Sequence, residues 1–184
     1  MTTDLRHLAL PVIAMAAIVV ASNIAVQHPI TQFGLQDWLT WGALTYPIAF
    51  LVTDLTNRRF GPERARRVVY VGFAFAVVLS LVFADPRIAL ASGSAFLVAQ
   101  LLDIFVFDRL RRSDWWQAPL ASSVLGSVVD TALFFSLAFA GTGLPWVTWG
   151  LGDLAAKLTV AVCLLLPFRL GIAFIGTREQ YSAG

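Results

Sequence analysis

Charged residues divide the chain into six apolar segments, at about 8–26, 38–55, 68–84, 88–107, 117–140 and 146–168. Each is close to the roughly 17–25 residues that carry a helix across a bilayer core. The second and third are slightly short. Leu55 and the flanking arginines extend them, because an arginine lays its stem along apolar surface and keeps its head in water. Gly141-Thr-Gly-Leu-Pro, ahead of the sixth segment, reads as a loop from its glycines and proline. The pattern predicts an all-α integral membrane protein, a compact bundle of six transmembrane helices that occupies residues 1–184 as a single domain. Arg6 followed by an apolar run also resembles a signal peptide, but the run is longer than the usual h-region of about 7–15 residues, and one arginine is a weak n-region.

Composition strengthens this picture. The chain is 58% hydrophobic and 13% charged, with a mean hydropathy of +0.76, whereas soluble domains run at about 45–50% apolar and about 25% charged. No room is left for a separate water-soluble domain, and the apolar content excludes disorder. The net charge of +2 matters less than its placement. Arg58, Arg59, Arg64, Arg66 and Arg67 fall between segments two and three, and Arg109, Arg111 and Arg112 between four and five; Arg6, Arg169 and Arg178 lie in the tails. Only Arg87 falls on the opposite side. The positive-inside rule then puts both termini in the cytoplasm, which requires an even number of spans. Trp38, Trp41, Trp115, Trp116, Trp146 and Trp149 all sit at expected interfaces, as indoles do in bilayers. Clustered arginines beside a span are explained by topology and anionic lipid, so nucleic acid is not an expected partner.

The polar inventory narrows the chemistry. Cys163 is the only cysteine and lies in an apolar run; His7 and His28 flank the first segment. Neither a zinc site nor a buried Ser/His hydrolase can be assembled from this set, and no phosphate-binding GxxxxGK[ST] loop occurs. Ionisable groups at membrane depth are therefore the informative residues, since each is costly unless paired, hydrated or turned inward. Asp103 lies in segment four, Asp130 in segment five, and Asp153 with Lys157 in segment six. Counting at about 1.5 Å per residue puts Asp130 and Lys157 near the midplane, within reach of a shared cavity, and Asp153 shares a helix face with Lys157 at i,i+4. Asp54, at the end of segment two, is expected chiefly as an interfacial partner of Arg58 or Arg59. Polar stripes extend these faces: Ser123, Ser127, Asp130 and Thr131 around Gly126; Tyr46, Phe50, Thr53 and Asn57; Ser22-Asn23; Gln100 one turn from Asp103; and Ser92-Gly-Ser. Facing inward together, they would line a polar cavity with aromatic walls.

These residues also carry a family resemblance. Ser22-Asn23 with Val26-Gln27, Trp41-Gly-Ala, Phe50-Leu-Val-Thr-Asp-Leu-Thr-Asn-Arg-Arg-Phe-Gly with Ala65-Arg-Arg, Gln100-Leu-Leu-Asp-Ile-Phe-Val-Phe-Asp-Arg-Leu, Trp115-Trp116, Ser127-Val-Val-Asp-Thr with Phe134-Phe135, and Asp153 and Lys157 ahead of Leu166-Pro167 occur in that order. Together they resemble the queuosine precursor transporters, or vitamin uptake transporter family, of small bacterial inner-membrane proteins. The resemblance spans nearly the whole chain, with short connections after segments three and five. It implies a multi-pass transporter, not an enzyme, without a cofactor, that imports 7-cyano-7-deazaguanine or its aminomethyl relative.

Such a ligand suits the buried set. A deazaguanine offers N1–H and a 2-amino group side by side to a carboxylate, and a carbonyl to Asn, Gln or Lys, while its flat ring can stack on Tyr46, Phe50 or Phe134. Asp130 or Asp103 is expected at the guanidine-like edge, with Asn23, Gln100 or Lys157 at the carbonyl or pyrrole side. Asp153 and Asp54 complete the candidate substrate-binding set. Expected partners are the small-molecule 7-deazaguanine, membrane lipids and, as one arrangement, a second copy in a homodimer. Two other readings are a substrate-binding membrane subunit of an ATPase-energised uptake system, and a membrane enzyme or assembly factor using Asp130 and Lys157 in acid–base work. The sequence leaves open both ligand preference and proton coupling.

Overall fold

The computed structural model describes residues 2–25, 28, 30–83 and 86–175; the side chains of 2–7, 23, 33, 36, 37, 76, 79–83 and 175 lie outside that description. The expectations attached to Val26, Gln27, Arg178 and the side chains of Arg6, His7 and Asn23 thus fall outside the described residues. The described elements are helices: α1 Thr2–Ala25, a 3-10 turn Gln32–Asp37, α2 Trp41–Thr45, α3 Ile48–Phe60, α4 Pro62–Phe83, α5 Pro86–Leu110, α6 Gln117–Phe139 and α7 Trp146–Ile175.

The second apolar segment is not one helix as expected. It is interrupted at Tyr46-Pro47, because proline has no N–H to give and its ring collides with the carbonyl four residues back. The Tyr46 N–H still closes α2 on Gly42 O at 2.9 Å, and α3 restarts with Ala49 N–H on Tyr46 O at 3.0 Å. α3 then runs past the expected end at 55. Gly61, at φ 90°, stops it in a conformation that favours glycine and donates its N–H to Asn57 O at 2.9 Å. Pro62 opens α4 at once, well before the expected start at 68, since a first-turn N–H has no helical partner to lose. α7 likewise passes through Pro167 and beyond the expected 168.

The exposure pattern is inside out for water. Leu10 is 76% exposed and Phe174 87%, while Thr53, Asn57, Gln100, Asp103, Ser122 and Ser127 are fully buried. Apolar groups outside and polar groups inside suit a hydrocarbon solvent. Among the described residues, α5, α6 and residues 146–174 of α7 are long and apolar enough to cross a bilayer, and Leu8–Ser22 of α1 is a shorter apolar stretch. This is an α-helical membrane protein.

α3 is the central strut, packed against α1, α4, α5, α6 and α7. An apolar cluster of Met15, Val19, Ala49, Val68, Val69, Phe96 and Ile104 joins it to α1, α4 and α5. On the other side Gly126 lets α6 come close: a Cβ there would lie 2.7 Å from Phe50 Cε1. The arginine-rich ends of α3 and α5 are tied reciprocally. Arg111 donates from Nη2 to Asn57 O at 2.6 Å and from Nη1 to Arg58 O at 3.2 Å, and Arg58 Nη1 donates back to Arg111 O at 2.7 Å. Arg111 thereby gives Asn57 O a second donor beside the Gly61 N–H and reaches Arg58 O, while Arg58 satisfies Arg111 O just past the end of α5. Arg87, alone at the opposite end, does the same for α6 through Leu137 O and Ala140 O, at 2.9 and 2.7 Å.

Loss of the reciprocal tie should be measurable. Arg111→Ala is expected to lower stability by about 2–3 kcal/mol, since several charge-assisted hydrogen bonds are lost and carbonyls are left unpaired. Exposed Arg112→Ala should stay within about 0.5 kcal/mol of the parent. Thermal unfolding of both variants in detergent checks the difference.

Candidate functional site

The bundle holds two buried polar clusters, and they differ in how completely they are satisfied. The first surrounds Lys157 on α7. Its ammonium donates to Asp130 Oδ2 at 2.8 Å and to Thr131 Oγ1 at 3.3 Å, and pairs with Asp153 one turn away on its own helix. Thr131 in turn donates to Asp153 Oδ2 at 2.8 Å, and Tyr46, at the α2–α3 break, donates to Asp130 Oδ1 at 3.1 Å. The Lys157 Nζ also stands 5.3 Å from the Tyr46 ring centroid. Both oxygens of Asp130 and the cation it faces are thus engaged. The fixed dipoles and hydrogen bonds make a closed circuit among α2, α6 and α7.

The second cluster lies between α3, α5 and α6, nearer the arginine-rich end. Thr53 donates to Gln100 Oε1 at 2.6 Å, which holds the amide so that Nε2 is free. Asn57 Nδ2 donates to Ile104 O at 3.1 Å, and Ser122 Oγ to Asp54 Oδ1 at 3.1 Å. Asp103 has Asp54 and Ser122 as polar neighbours, but the Ser122 hydroxyl is turned to Asp54 and Pro119 O, and neither Asp103 oxygen has a hydrogen bond of good geometry from a described residue. Ser127 Oγ is also buried and unpartnered. Buried polar atoms are normally paired, and each exception asks for an explanation such as an absent ligand or water. Here the exceptions concentrate: a free amide donor and a free carboxylate stand one turn apart on α5, with a free hydroxyl on α6. Among the described residues, no group of three or more His, Cys, Asp or Glu could hold a metal ion.

Against known proteins, residues 40–85 and 82–171 match the family model described as "Putative vitamin uptake transporter". The chain is 37% identical to the "Probable queuosine precursor transporter" of Haemophilus influenzae and 35% identical to the "Queuosine precursor transporter" of Escherichia coli K12, in each case over 82% of this chain and 79% of the relative. The "Probable queuosine precursor transporter" of Bacillus subtilis 168 is 30% identical over 66% of this chain and 65% of its own length.

The chain belongs to the queuosine precursor transporter family.

No solved structure matches it significantly. Within this family member the expected site residues separate. Asp130, Asp153, Lys157 and Tyr46 come together, but their polar groups satisfy one another. Asp103 and Gln100 share a second buried place with Phe50, which is fully packed against α6. Asp54 departs from expectation: Arg58 turns to the Arg111 carbonyl, and Asp54, only 2% exposed, accepts from Ser122 beside Asp103. The reason is that α3 continues to Phe60, which draws Asp54 more than a turn inside the helix end. Phe134 joins an aromatic group with Phe135 and Phe139, at centroid distances of 5.1 and 6.0 Å. Ser94 is exposed, so the Ser92–Ser94 stretch does not face inward as a unit.

Sequence reasoning missed Ser122 and the inward role of Arg111. A signal existed: Phe50-Leu-Val-Thr-Asp-Leu-Thr-Asn-Arg-Arg and Phe96-Leu-Val-Ala-Gln-Leu-Leu-Asp share Phe-Leu-Val, a later leucine and polar residues at corresponding places. In the fold these two segments run parallel and bond to each other, Thr53 to Gln100 and Asn57 to Ile104.

The saturated circuit has a direct test. Lys157→Met strands two carboxylates in the interior and should cost about 3–5 kcal/mol of stability. Combining it with Asp130→Asn and Asp153→Asn removes both stranded charges and should recover most of the loss in thermal unfolding.

Proposed function

We propose that this chain imports the 7-deazaguanine precursors of queuosine, 7-cyano-7-deazaguanine and its aminomethyl relative, across the bacterial inner membrane, with Asp103 and Gln100 gripping the base. The observation that carries this reading is the unpartnered set on α5. The edge of a deazaguanine reads carbonyl, N1–H, amino: one acceptor followed by two donors. Gln100 Nε2 supplies the donor for the carbonyl, and the two oxygens of Asp103 receive the pair of N–H groups. Spacing of i,i+3 sets these complementary groups side by side on one helix face. The names carried by relatives at 35–37% identity support the same substrate class.

The Lys157 cluster is assigned a different task. Its carboxylates already have their donors, so binding a base there would first break charge-assisted hydrogen bonds worth about 1.5–3 kcal/mol each. It holds α2, α6 and α7 together, while Phe50 and Tyr46, edge to face at 6.3 Å, form the aromatic side of the binding region. Asp103 is fully buried, so the base reaches it only when α3 separates from α5 and α6.

The bundle is read as six spans with both termini in the cytoplasm. α1, α4, α5, α6 and α7 have 22 residues or more, which at about 1.5 Å per residue exceeds 30 Å. α2 and α3 in tandem make the remaining crossing. Arg58, Arg59, Arg64, Arg66, Arg67, Arg109, Arg111 and Arg112 cluster at one end, and that end faces the cytoplasm.

Binding of 7-cyano-7-deazaguanine to purified protein tests the assignment. Asp103→Asn turns one acceptor into a donor facing a donor and should weaken binding at least tenfold, which is about 1.4 kcal/mol. Asp114→Asn, at an exposed loop position, should bind like the parent. Undiminished binding by a folded Asp103→Asn protein would refute the grip, and failure of the parent to restore precursor uptake in a strain unable to synthesise it would refute import.

A further inference from the structure

The neighbouring carboxyls of Asp54 and Asp103 raise a question of charge that substrate binding alone does not answer. Asp54 is 2% exposed and Asp103 0%. They face each other across α3 and α5. Two carboxylates this close cannot both stay ionised in a low-dielectric interior without a cation.

Among the described side chains, the charged groups on the surrounding helices supply none. On α7, Lys157 is committed to Asp130 of α6 and to Asp153, and Arg169 lies 4.8 Å from the Trp115 ring centroid. Arg58 of α3 and Arg111 after α5 bind backbone carbonyls at the helix ends, and Arg111 also pairs with Asp108. Arg59 and Arg64 stand 5.1 and 5.8 Å from the Phe60 ring, and Arg109 lies against Phe105 on the outside of α5. Arg66, Arg67 and Glu63 of α4 are exposed, and Arg87 is at the far end of α5. Tyr46 donates to Asp130, and α1 brings no charged group among its described side chains.

A second feature distinguishes the two acids. A narrow cleft between α3, α6 and α7, lined by Leu51, Asp54, Ser123 and Phe168, reaches Asp54 with room for roughly one water. Asp103 is not among its walls. One acid therefore stands against a water-sized space, and the other has free oxygens for a ligand.

We propose that Asp54 and Asp103 form a proton site that couples import to the proton gradient: the pair holds one proton, carried on Asp54 while Asp103 receives the base. This rests on the import reading above. With no proton, two adjacent anions are unmatched. With two, Asp103 presents a hydroxyl to the N1–H of the base and loses the bidentate geometry. Only the singly protonated pair offers an ionised Asp103 without a second unmatched anion beside it, so each neutral base enters with one proton taken from the outer side and released from Asp54 to the cytoplasm. Asp54 acts here as a proton carrier and touches no substrate atom.

The test uses purified protein in liposomes containing a pH-sensitive dye, with labelled 7-cyano-7-deazaguanine outside. An acid-outside gradient should raise accumulation of the base severalfold over the no-gradient level and acidify the lumen only when the base is present. Asp54→Asn should lose at least nine-tenths of this gradient-driven accumulation together with the proton signal, and Asp54→Glu should keep a gradient response. Exchange of labelled for unlabelled base is read in the same vesicles. Exchange by the parent without any effect of the pH gradient, or accumulation driven by a sodium gradient instead, overturns the proton site while leaving import intact. Gradient-driven accumulation by Asp54→Asn at the parent level overturns it as well. No exchange at all by the parent overturns the import reading and this inference with it.

Discussion

Every structural choice in this chain follows from the lack of water around its helices. In hydrocarbon a polar group has no solvent partner, so it must find one inside the bundle or remain costly. The chain meets that constraint by packing α3 at the centre and directing polar faces of the neighbouring helices onto it. Leu10, Leu90, Leu166, Phe105 and Phe174 are among the apolar side chains on the outside, where the solvent is as apolar as they are. Packing inside then depends on close approach, as at Gly126 against Phe50, more than on apolar burial.

Within that frame the same problem is solved in two ways. Around Lys157 the hydrogen-bonding groups are satisfied: one ammonium, two carboxylates, a threonine hydroxyl and a tyrosine hydroxyl complete one another across three helices. Around Asp103 they are not, and the deficit is chemically specific. It lacks two donors at the acid and one acceptor at the amide, a pattern that a guanine-like edge completes. A protein that moved its cargo by shape alone would have no reason to keep such a deficit in its interior.

Much of this was legible in the sequence because bilayer thickness fixes segment length and the cost of charge fixes where ionisable groups can sit. Counting depth brought Asp130 and Lys157 to the same level, and the i,i+4 spacing joined Lys157 to Asp153. What escaped depended on tertiary direction. Pro11 and Pro167 stay within helices while Pro47 interrupts one, and local sequence does not distinguish them. Proximity along the chain pairs Asp54 with Arg58 or Arg59, whereas the fold sends Arg58 sideways to α5 and leaves Asp54 facing inward. The related Phe-Leu-Val segments of α3 and α5 were the one sequence feature able to predict that these helices would lie side by side.

The interruption at Tyr46-Pro47 has a mechanical consequence. Tyr46 is moored to Asp130 and so belongs with α6 and α7, while α3, on the other side of Pro47, is fastened at its far end by the crossed arginines Arg58 and Arg111. A segment jointed there and tied at its far end has two registers set separately: Tyr46 answers to the lysine circuit, and Thr53 and Asn57 to α5, which one unbroken helix would have to satisfy with a single rotation.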